Sequence, residues 1–533
     1  MIDAPASAPT EAKASPLGPF RHRAFAVIWT ATLVSNIGIW MQNAAAGWLM
    51  TTLAPDARTV ALVQVAAALP MFLLGLPAGV LADLMDRRRL LIAMESVITA
   101  LTVAFSFLVG ADLVTPMVLV GFILLSSAAS ASITPSWQAI VPQLVGRKED
   151  LAPAVGLISV SVNISRAVGP ALAGVIIGAW SMAAPFGANA VCNLACVAAL
   201  WWWRPVGAAA TELPPESFGH AIVVGLRHAR YNAPLRSTLA HATSFFFFAS
   251  AYWALLPLLA RVQIAGGAGT YGLLLGSIGV GAVIGAFVLP RIKALLGPDR
   301  VVAAGSAGTA IALVVFALAS RPALALAAGA FAGVSWIWVL ATLNVSAQQS
   351  LPGWVRGRGL AVYTTAAFGA MTAGSLLWGE SGAVLGLSGA HGLAALGLLV
   401  ATVALRGKRL QSGSGPDLTP SMYWPMPVLP DSSDEERGPV LVMVDYRIAA
   451  TDREAFLRAA DRLGAARRRN GIHRWGVFED ATEPGHWVEL FLVDSWLEYL
   501  RVLKRAARAD LQLLEEVKRF QQGGEPRVRR FLG

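Results

Sequence analysis

The stretch GVLADLMDRRRLL, residues 79–91, sets two acids and three arginines between two long apolar runs. VALVQVAAALPMFLLGLPA precedes it and LIAMESVITALTVAFSFLVG follows. Each run is long enough to cross a bilayer at about 1.5 Å of rise per residue. Charge confined to the turn, and absent from the runs, is the pattern of a membrane bundle. The whole chain repeats it. Of 533 residues 56% are hydrophobic and 14% charged, with mean hydropathy +0.59; a soluble domain carries about 25% charge.

Hydropathy predicts twelve spans, at 24–50, 59–82, 90–110, 114–138, 153–178, 183–203, 237–260, 270–290, 300–319, 322–346, 357–379 and 383–405. The polar tail 1–23 has no short apolar core with a small-residue cleavage site, so no cleaved signal peptide is expected. The N-terminus, the even-numbered connections and the residues past the last span hold about twenty Lys and Arg. The odd-numbered connections hold about three: Arg58, Arg261 and Arg321. Positive charge stays on the cytoplasmic side. Both termini are therefore expected in the cytoplasm, with the protein integral to a bacterial plasma (inner) membrane. The net charge of +10 follows from the same bias and calls for no nucleic acid partner. Cys192 and Cys196 lie one helical turn apart and read as packing residues, with no metal site.

The spans divide into two six-helix halves, 24–203 and 237–405, around a polar segment 204–236. Within that segment ESFGHAIVVGLRHARYN reads as an amphipathic helix at the membrane surface. VPQLVGR (141–147) is echoed by LPGWVRGR (351–358), and the basic turn 87–89 by GAFVLPRIKALLGPDR (285–300). Both echoes have an offset of about 205–210 residues, which suggests a duplicated six-helix unit. Residues 406–437, rich in Pro, Ser, Gly and Asp, read as a linker. In 438–533 the periodicity changes. VLVMVDYRI, IHRWGVFED, HWVELFLVD and PRVRRFL read as strands. TDREAFLRAADRLGAARRRN reads as a helix with a Thr451/Glu454 capping box, and SWLEYLRVLKRAARADLQLLEEVKRF as a second helix. The order βαββαβ predicts a ferredoxin-like domain in the cytoplasm.

Polar groups inside a bilayer are costly unless they are matched, so they mark functional positions. Asp83 and Arg87, Arg88 and Arg89 could form contacts that differ between conformations. In NISRAVGPALAGVIIG (163–178), Pro170 bends the helix, while Gly169 and Gly174 permit close approach. Asn163, Arg166, Pro170 and Gly174 share one face, and Arg166 lies at mid-span. A cavity set is expected from Asn36, Trp40, Gln42, Asn43, Trp137, Asn163, Arg166, Tyr252, Trp253, Trp336 and Asn344. Glu95 is the acid well inside a span of the first half. Its alternative reading is structural.

Gly79, Asp83 and Arg87 to Arg89 resemble the signature loop between helices two and three of the major facilitator superfamily. Leu84 stands where the family has a base, and Asp86 where it has a small residue. The resemblance implies that the acid meets the start of helix eleven, here VRGRGLAVY, which makes Arg356 and Arg358 its candidate partners. Gly169, Pro170 and Gly174 resemble the fifth-helix motif of drug/proton antiporters. The stretches from PSWQAIVPQLVGRKED to SLPGWVRGRGLAVYTTAAFGAM resemble the enterobactin-exporter branch, the transmembrane secretion effectors. Residues 467–480 and 495–510 resemble an antibiotic-biosynthesis-monooxygenase-like tail, with Tyr499 and Leu503 where histidines are common. The resemblance implies an all-α transporter that exports a small, partly hydrophobic molecule (siderophore, antibiotic or drug) by proton antiport. No cofactor is expected, and the tail's plainer reading is a folded module for dimerisation or regulation. No GxxxxGK[ST] loop is present, so ATP is not expected as its direct energy source. An uptake permease of the same fold, or a transporter fused to an oxygenase-like module, are the alternatives.

Overall fold

In the computed structural model, residues 15, 17–204, 218–411, 417, 437–472 and 474–533 are described. Among them, ten helices are long and apolar enough to cross a membrane. Six precede the central segment: α1 (Arg23–Leu53), α2 (Ala57–Leu84), α3 (Arg87–Gly110), α4 (Pro116–Leu144), α5 (Leu151–Ala179) and α6 (Ala184–Trp202). The short α7 (Phe218–Tyr231) supplies the expected amphipathic helix. After it come α8 (Ala233–Leu258), which continues as a π-turn, then α9 (Ala268–Leu318), α10 (Pro322–Gln349) and α11 (Arg356–Ala404). The expected N-terminal tail, central segment and linker lie in large part outside the described residues.

Helices α9 and α11 run for 51 and 49 residues. At about 1.5 Å per residue each would be roughly twice as long as a bilayer is thick. Both are broken by a glycine at φ 73°, Gly297 in α9 and Gly386 in α11. That backbone region strains any residue with a Cβ. Pro298 then restarts α9, its missing N–H costing nothing at a helix start. Each of these helices therefore crosses twice, and the ten stretches make twelve spans. The outside of the bundle is apolar: Phe107 and Phe287 are 75% and 80% exposed. Such surfaces are stable only against lipid.

Within the first half, α1 packs on α5 and α6, and α3 on α4 and α6. In the second half, α8 packs on α11 and α9 on α10. The halves meet along α2 with α11 and α5 with α9.

The tail forms a four-stranded antiparallel sheet in the order β2-β3-β1-β4. The strands are β1 (Val440–Arg447), β2 (Arg474–Glu479), β3 (His486–Val493) and β4 (Arg527–Leu532). This is the ferredoxin-like arrangement, and Val440, Val442, Val444, Phe491 and Val493 bury one face under the helices around Phe456. Two local expectations fail. Helix α12 (Arg453–Arg469) starts after a 3-10 turn, and its N-cap Asp452 makes no side-chain cap bond, so the Thr451/Glu454 box is not formed. The predicted final helix is two, α13 (Trp496–Arg505) and α14 (Arg508–Lys518), because Ala506 is extended. At this break the Asp510 carboxylate accepts from the Ala507 N–H and from Asn470 Nδ2, at 3.1 and 2.8 Å. The bond from Ala507 satisfies a backbone donor that a continuous helix would have used internally, and the bond from Asn470 ties the break to the end of α12.

This tail is seated on the bundle. Arg227 Nη1 of α7 donates to the Gly471 carbonyl at 2.9 Å, and His228 Nδ1 lies 3.2 Å from the Arg469 carbonyl. Arg505 stacks 4.6 Å over Trp354, in the turn between α10 and α11, and the His228 ring meets the same indole edge-on. Burial pushes the His228 imidazole down to about 4, helped by the nearby Arg469 guanidinium and opposed by the Asp510 carboxylate. A depressed His pKa stabilises docking fully above the free value and loses that stabilisation as pH falls toward the docked value.

Two outcomes follow from this architecture. Residues 438–533 expressed alone should melt cooperatively, with Phe456→Ala costing about 3–5 kcal/mol in chemical denaturation. In the full chain, energy transfer between dyes on exposed Leu226 and Asp461 should fall as pH drops from 6.5 toward 4. His228→Gln should flatten that profile; an unchanged profile would rule His228 out.

Candidate functional site

Two charges of the opening turn close helix ends. Asp86 is the N-cap of α3, its carboxylate accepting from the Arg89 N–H at 2.8 Å. Arg88 donates through Nε to the Leu200 carbonyl at 2.9 Å and through Nη2 to the Trp201 carbonyl at 2.7 Å. Its guanidinium thus closes the C-terminal end of α6, where carbonyls lack intrahelical partners and the helix dipole is negative. In this state Arg88 serves as a helix cap. Arg87 is half-buried and Arg89 exposed beside it. The surroundings of Gly79 and of the Asp83 side chain lie outside the described residues. Arg356 is exposed at the start of α11, and Arg358 packs against α7 at Gly225, where an added Cβ would stand 3.1 Å from the Arg358 Cβ.

At mid-bundle the fifth-helix motif works as a close contact. A Cβ on Gly169 would stand 2.8 Å from the Ile37 carbonyl oxygen of α1. One on Gly174 would stand 3.0 Å from the Ala268 carbonyl oxygen of α9, and one on Gly272 2.6 Å from the Pro170 carbonyl oxygen. Helix α5 is thereby held against both halves, and Arg166 is carried to the seam. Its guanidinium lies 5.1 Å from the centre of the Trp40 ring. Arg166 Nε is buried with no hydrogen-bond partner. No carboxylate pairs with Arg166 among the described residues.

An aromatic wall faces this region from α8 and α10. Trp253 and Trp336 rings lie 5.5 Å apart, Tyr252 and Trp253 5.3 Å apart, and Phe245 and Phe246 close the far side of Trp336. The Tyr252 hydroxyl and the Trp253 and Trp336 indole nitrogens are buried without a partner of good geometry. One cation and three donors thus stand unmatched in an aromatic enclosure. Its unmet need is for an acceptor.

Other predicted cavity residues sit elsewhere. Gln42 Oε1 accepts from Asn189 Nδ2 of α6 at 2.7 Å and from Thr102 Oγ1 of α3 at 3.3 Å. Glu95 is buried within the first half, where Trp137 Nε1 donates to it at 3.4 Å. Gln42, Glu95 and Trp137 thus make contacts among α1, α3, α4 and α6, away from the seam between the halves, and Glu95 Oε2 is buried with no hydrogen-bond partner. Asn163 Nδ2 donates to the Ser159 carbonyl of its own helix at 2.8 Å. Asn36 and Asn344 are half-buried and Asn43 exposed.

The residues that sequence reasoning missed join the halves at the end away from the basic loops. Arg58 of α2 and Glu380 of α11 form a two-pronged pair, at 2.6 and 2.7 Å. Arg261 donates to Thr51 and Thr52 of α1 at 3.2 and 2.8 Å and lies 5.4 Å over Trp48, which stacks on Tyr271. The available signal was the charge count: Arg58 and Arg261 are two of the three basic residues on the poorly charged side. In the tail, Arg530 Nε donates to the buried Tyr499 hydroxyl at 2.7 Å, tying it to β4.

Solved structures of peptide-type (POT family) transporters share this fold. One in complex with 5-aminolevulinic acid superposes with TM-score 0.58 at 12% identity, over 74% of this chain and 97% of that one. Another, a point mutant of a POT peptide transporter, gives TM-score 0.59 at 13% identity, over 72% and 94%. Among curated proteins, the staphyloferrin A transporter of Staphylococcus aureus is 27% identical over 284 residues, which is 50% of this chain and 67% of that protein. The enterobactin exporter EntS of Citrobacter koseri is 24% identical over 393 residues, 72% of this chain and 91% of that protein. The sequence profile of the transmembrane secretion effectors matches residues 14–533, bundle and tail together. This chain belongs to the transmembrane secretion effector family and is a membrane transporter of the major facilitator type.

Proposed function

We propose that this chain exports a small, partly hydrophobic molecule bearing an acidic group, of the siderophore type, by proton antiport through alternating access. The observation that carries the reading is Arg166, a mid-membrane guanidinium without a carboxylate partner, facing Trp40 and set against the Tyr252, Trp253 and Trp336 wall. An unmatched buried cation is costly. A substrate that supplies the anion while its planar parts stack on indoles offsets that cost. Two relatives named for siderophores, staphyloferrin A and enterobactin, support the class.

The basic end is taken as cytoplasmic from the Lys/Arg bias, which puts both termini and the tail on the cytoplasmic side of a bacterial inner membrane. The joined end, with Arg58–Glu380 and the Arg261 clamp, then lies outside, and the described state is the one open to the cytoplasm. In the opposite state Asp83 would meet Arg358 at the cytoplasmic end. Within the tail, Leu441, Met443, Val488 and Leu490 line the sheet face away from the helices, next to the exposed Phe478 and Phe531. That face supports dimerisation of the tail.

Transport into everted vesicles tests the central site. Arg166→Gln should weaken apparent affinity for the exported acid on the order of tenfold to a hundredfold, the scale of one charged hydrogen bond, with Arg166→Lys retaining more. Collapsing the pH gradient with nigericin should stop uptake. Full uptake without a gradient would remove proton antiport, and undiminished affinity in Arg166→Gln would remove the anchor. The outer joint is tested by reversal. Arg58→Glu and Glu380→Arg should each raise labelling of a cysteine placed at Ala268 from outside, and the double reversal should restore the low level. If the double variant stays as reactive as the singles, the pair does not hold this end closed.

A further inference from the structure

A second cavity, of about 240 Å³, opens at the basic end of the second half. Its walls come from α8, from the part of α9 that follows Gly297, and from the end of α11 with the residues just past it. None comes from the first half, whereas a substrate path must be shared by both halves to open alternately. The cavity is therefore distinct from the Arg166 site, although Phe245, whose ring meets Trp336, borders both. Its floor is apolar, built from Phe245, Val302 and Leu398. Arg300, Arg406 and Lys408 form the rim, and none has an ion-pair partner among the described residues. Asp299 is the acid on this rim, and its Oδ1 accepts from the Leu410 N–H at 2.7 Å. The rim thus keeps an excess of positive charge above a greasy floor.

Next to Leu398 and Thr402 on α11, Leu399, Val400 and Val403 are exposed on the lipid-facing surface. An amphiphile could place an anionic head between the three cations and run its chain along these side chains without leaving the bilayer. We propose that this cavity is a binding site for the phosphate headgroup of an anionic phospholipid. A basic pocket between helix ends at the membrane surface suits such a headgroup, and each cation near the surface contributes comparably. The phosphodiester takes the charge-assisted hydrogen bonds, and the floor takes the upper acyl chain.

Purified full-length protein is equilibrated with equal amounts of phosphatidylglycerol and phosphatidylcholine, and retained lipid is counted by native mass spectrometry. The wild type should retain phosphatidylglycerol selectively. Arg300→Gln, Arg406→Gln and Lys408→Gln should each lower that retention about fivefold. Arg406 and Lys408 lie past the last helix, so their replacement leaves the bundle intact even if Arg300→Gln does not. The double variant Arg291→Gln/Lys293→Gln removes two charges from the same connection but none from the cavity, and should retain lipid like the wild type. An equal loss in this control would show bulk charge attraction and overturn the site. Equal retention of the two lipids would do the same. Displacement of phosphatidylglycerol by an equal concentration of glycerol 3-phosphate would assign the pocket to a soluble phosphate and overturn the lipid assignment.

Discussion

Polar groups in a bilayer have no water to turn to, and this one constraint orders the molecule. Where the chain can match a buried group internally, it does so across helices. Gln42 takes donors from α3 and α6, Ser35 donates to Asn193 at 2.9 Å, and Trp29 Nε1 donates to the Leu157 carbonyl at 3.0 Å. Arg88 closes the end of α6 in the same way. Against that background, the unmatched guanidinium of Arg166 stands out. It is held in place by the tight glycine contacts of α5 with α1 and α9, so relaxing it toward a partner would require moving a helix that both halves grip.

Much of this was legible in the sequence because bilayer physics is one-dimensional. Apolar length marks a span and basic charge marks a turn, so all twelve crossings could be placed, including the two folded back at Gly297 and Gly386. The strands of the tail were equally plain from their period-two pattern. What stayed hidden was pairing at long range. Arg58 and Glu380 are 322 residues apart, and neither carries a local mark of the other. Gln42 looked like a cavity residue because its partners, Asn189 and Thr102, are contributed by other helices. The break at Ala506 was invisible because both flanks are strong helix formers. A local capping bond from Ala507 and a tertiary bond from Asn470, both to Asp510, outweigh that propensity.

The tail's position ties its fold to the second half of the bundle. Trp354 lies just before α11, whose Gly379 and Gly382 pack on Ala57 and Ala61 of α2 at the opposite end. Arg505 and His228 hold that indole from the tail and from α7. Any tilt of α11 against α2 must therefore carry the tail with it or break the Arg505 stack.

The two kinds of contact between the halves differ in a way that suits reversal. Glycine-lined crossings of α5 with α9 are close and apolar, and in lipid such contacts are held by van der Waals packing. In the alternating-access reading they are where the helices would pivot. The Arg58–Glu380 pair has side chains 61% and 54% exposed, so water can solvate both ions once they part. An exposed ion pair of good geometry fixes alignment without a large desolvation penalty. A buried pair at the same place would strand two charges each time the end opened, and would lock the transporter in one state. In the export reading proposed above, exposure of the joint, with the unmatched charge kept at the centre, would let a bound anion and not the joint itself decide which state prevails.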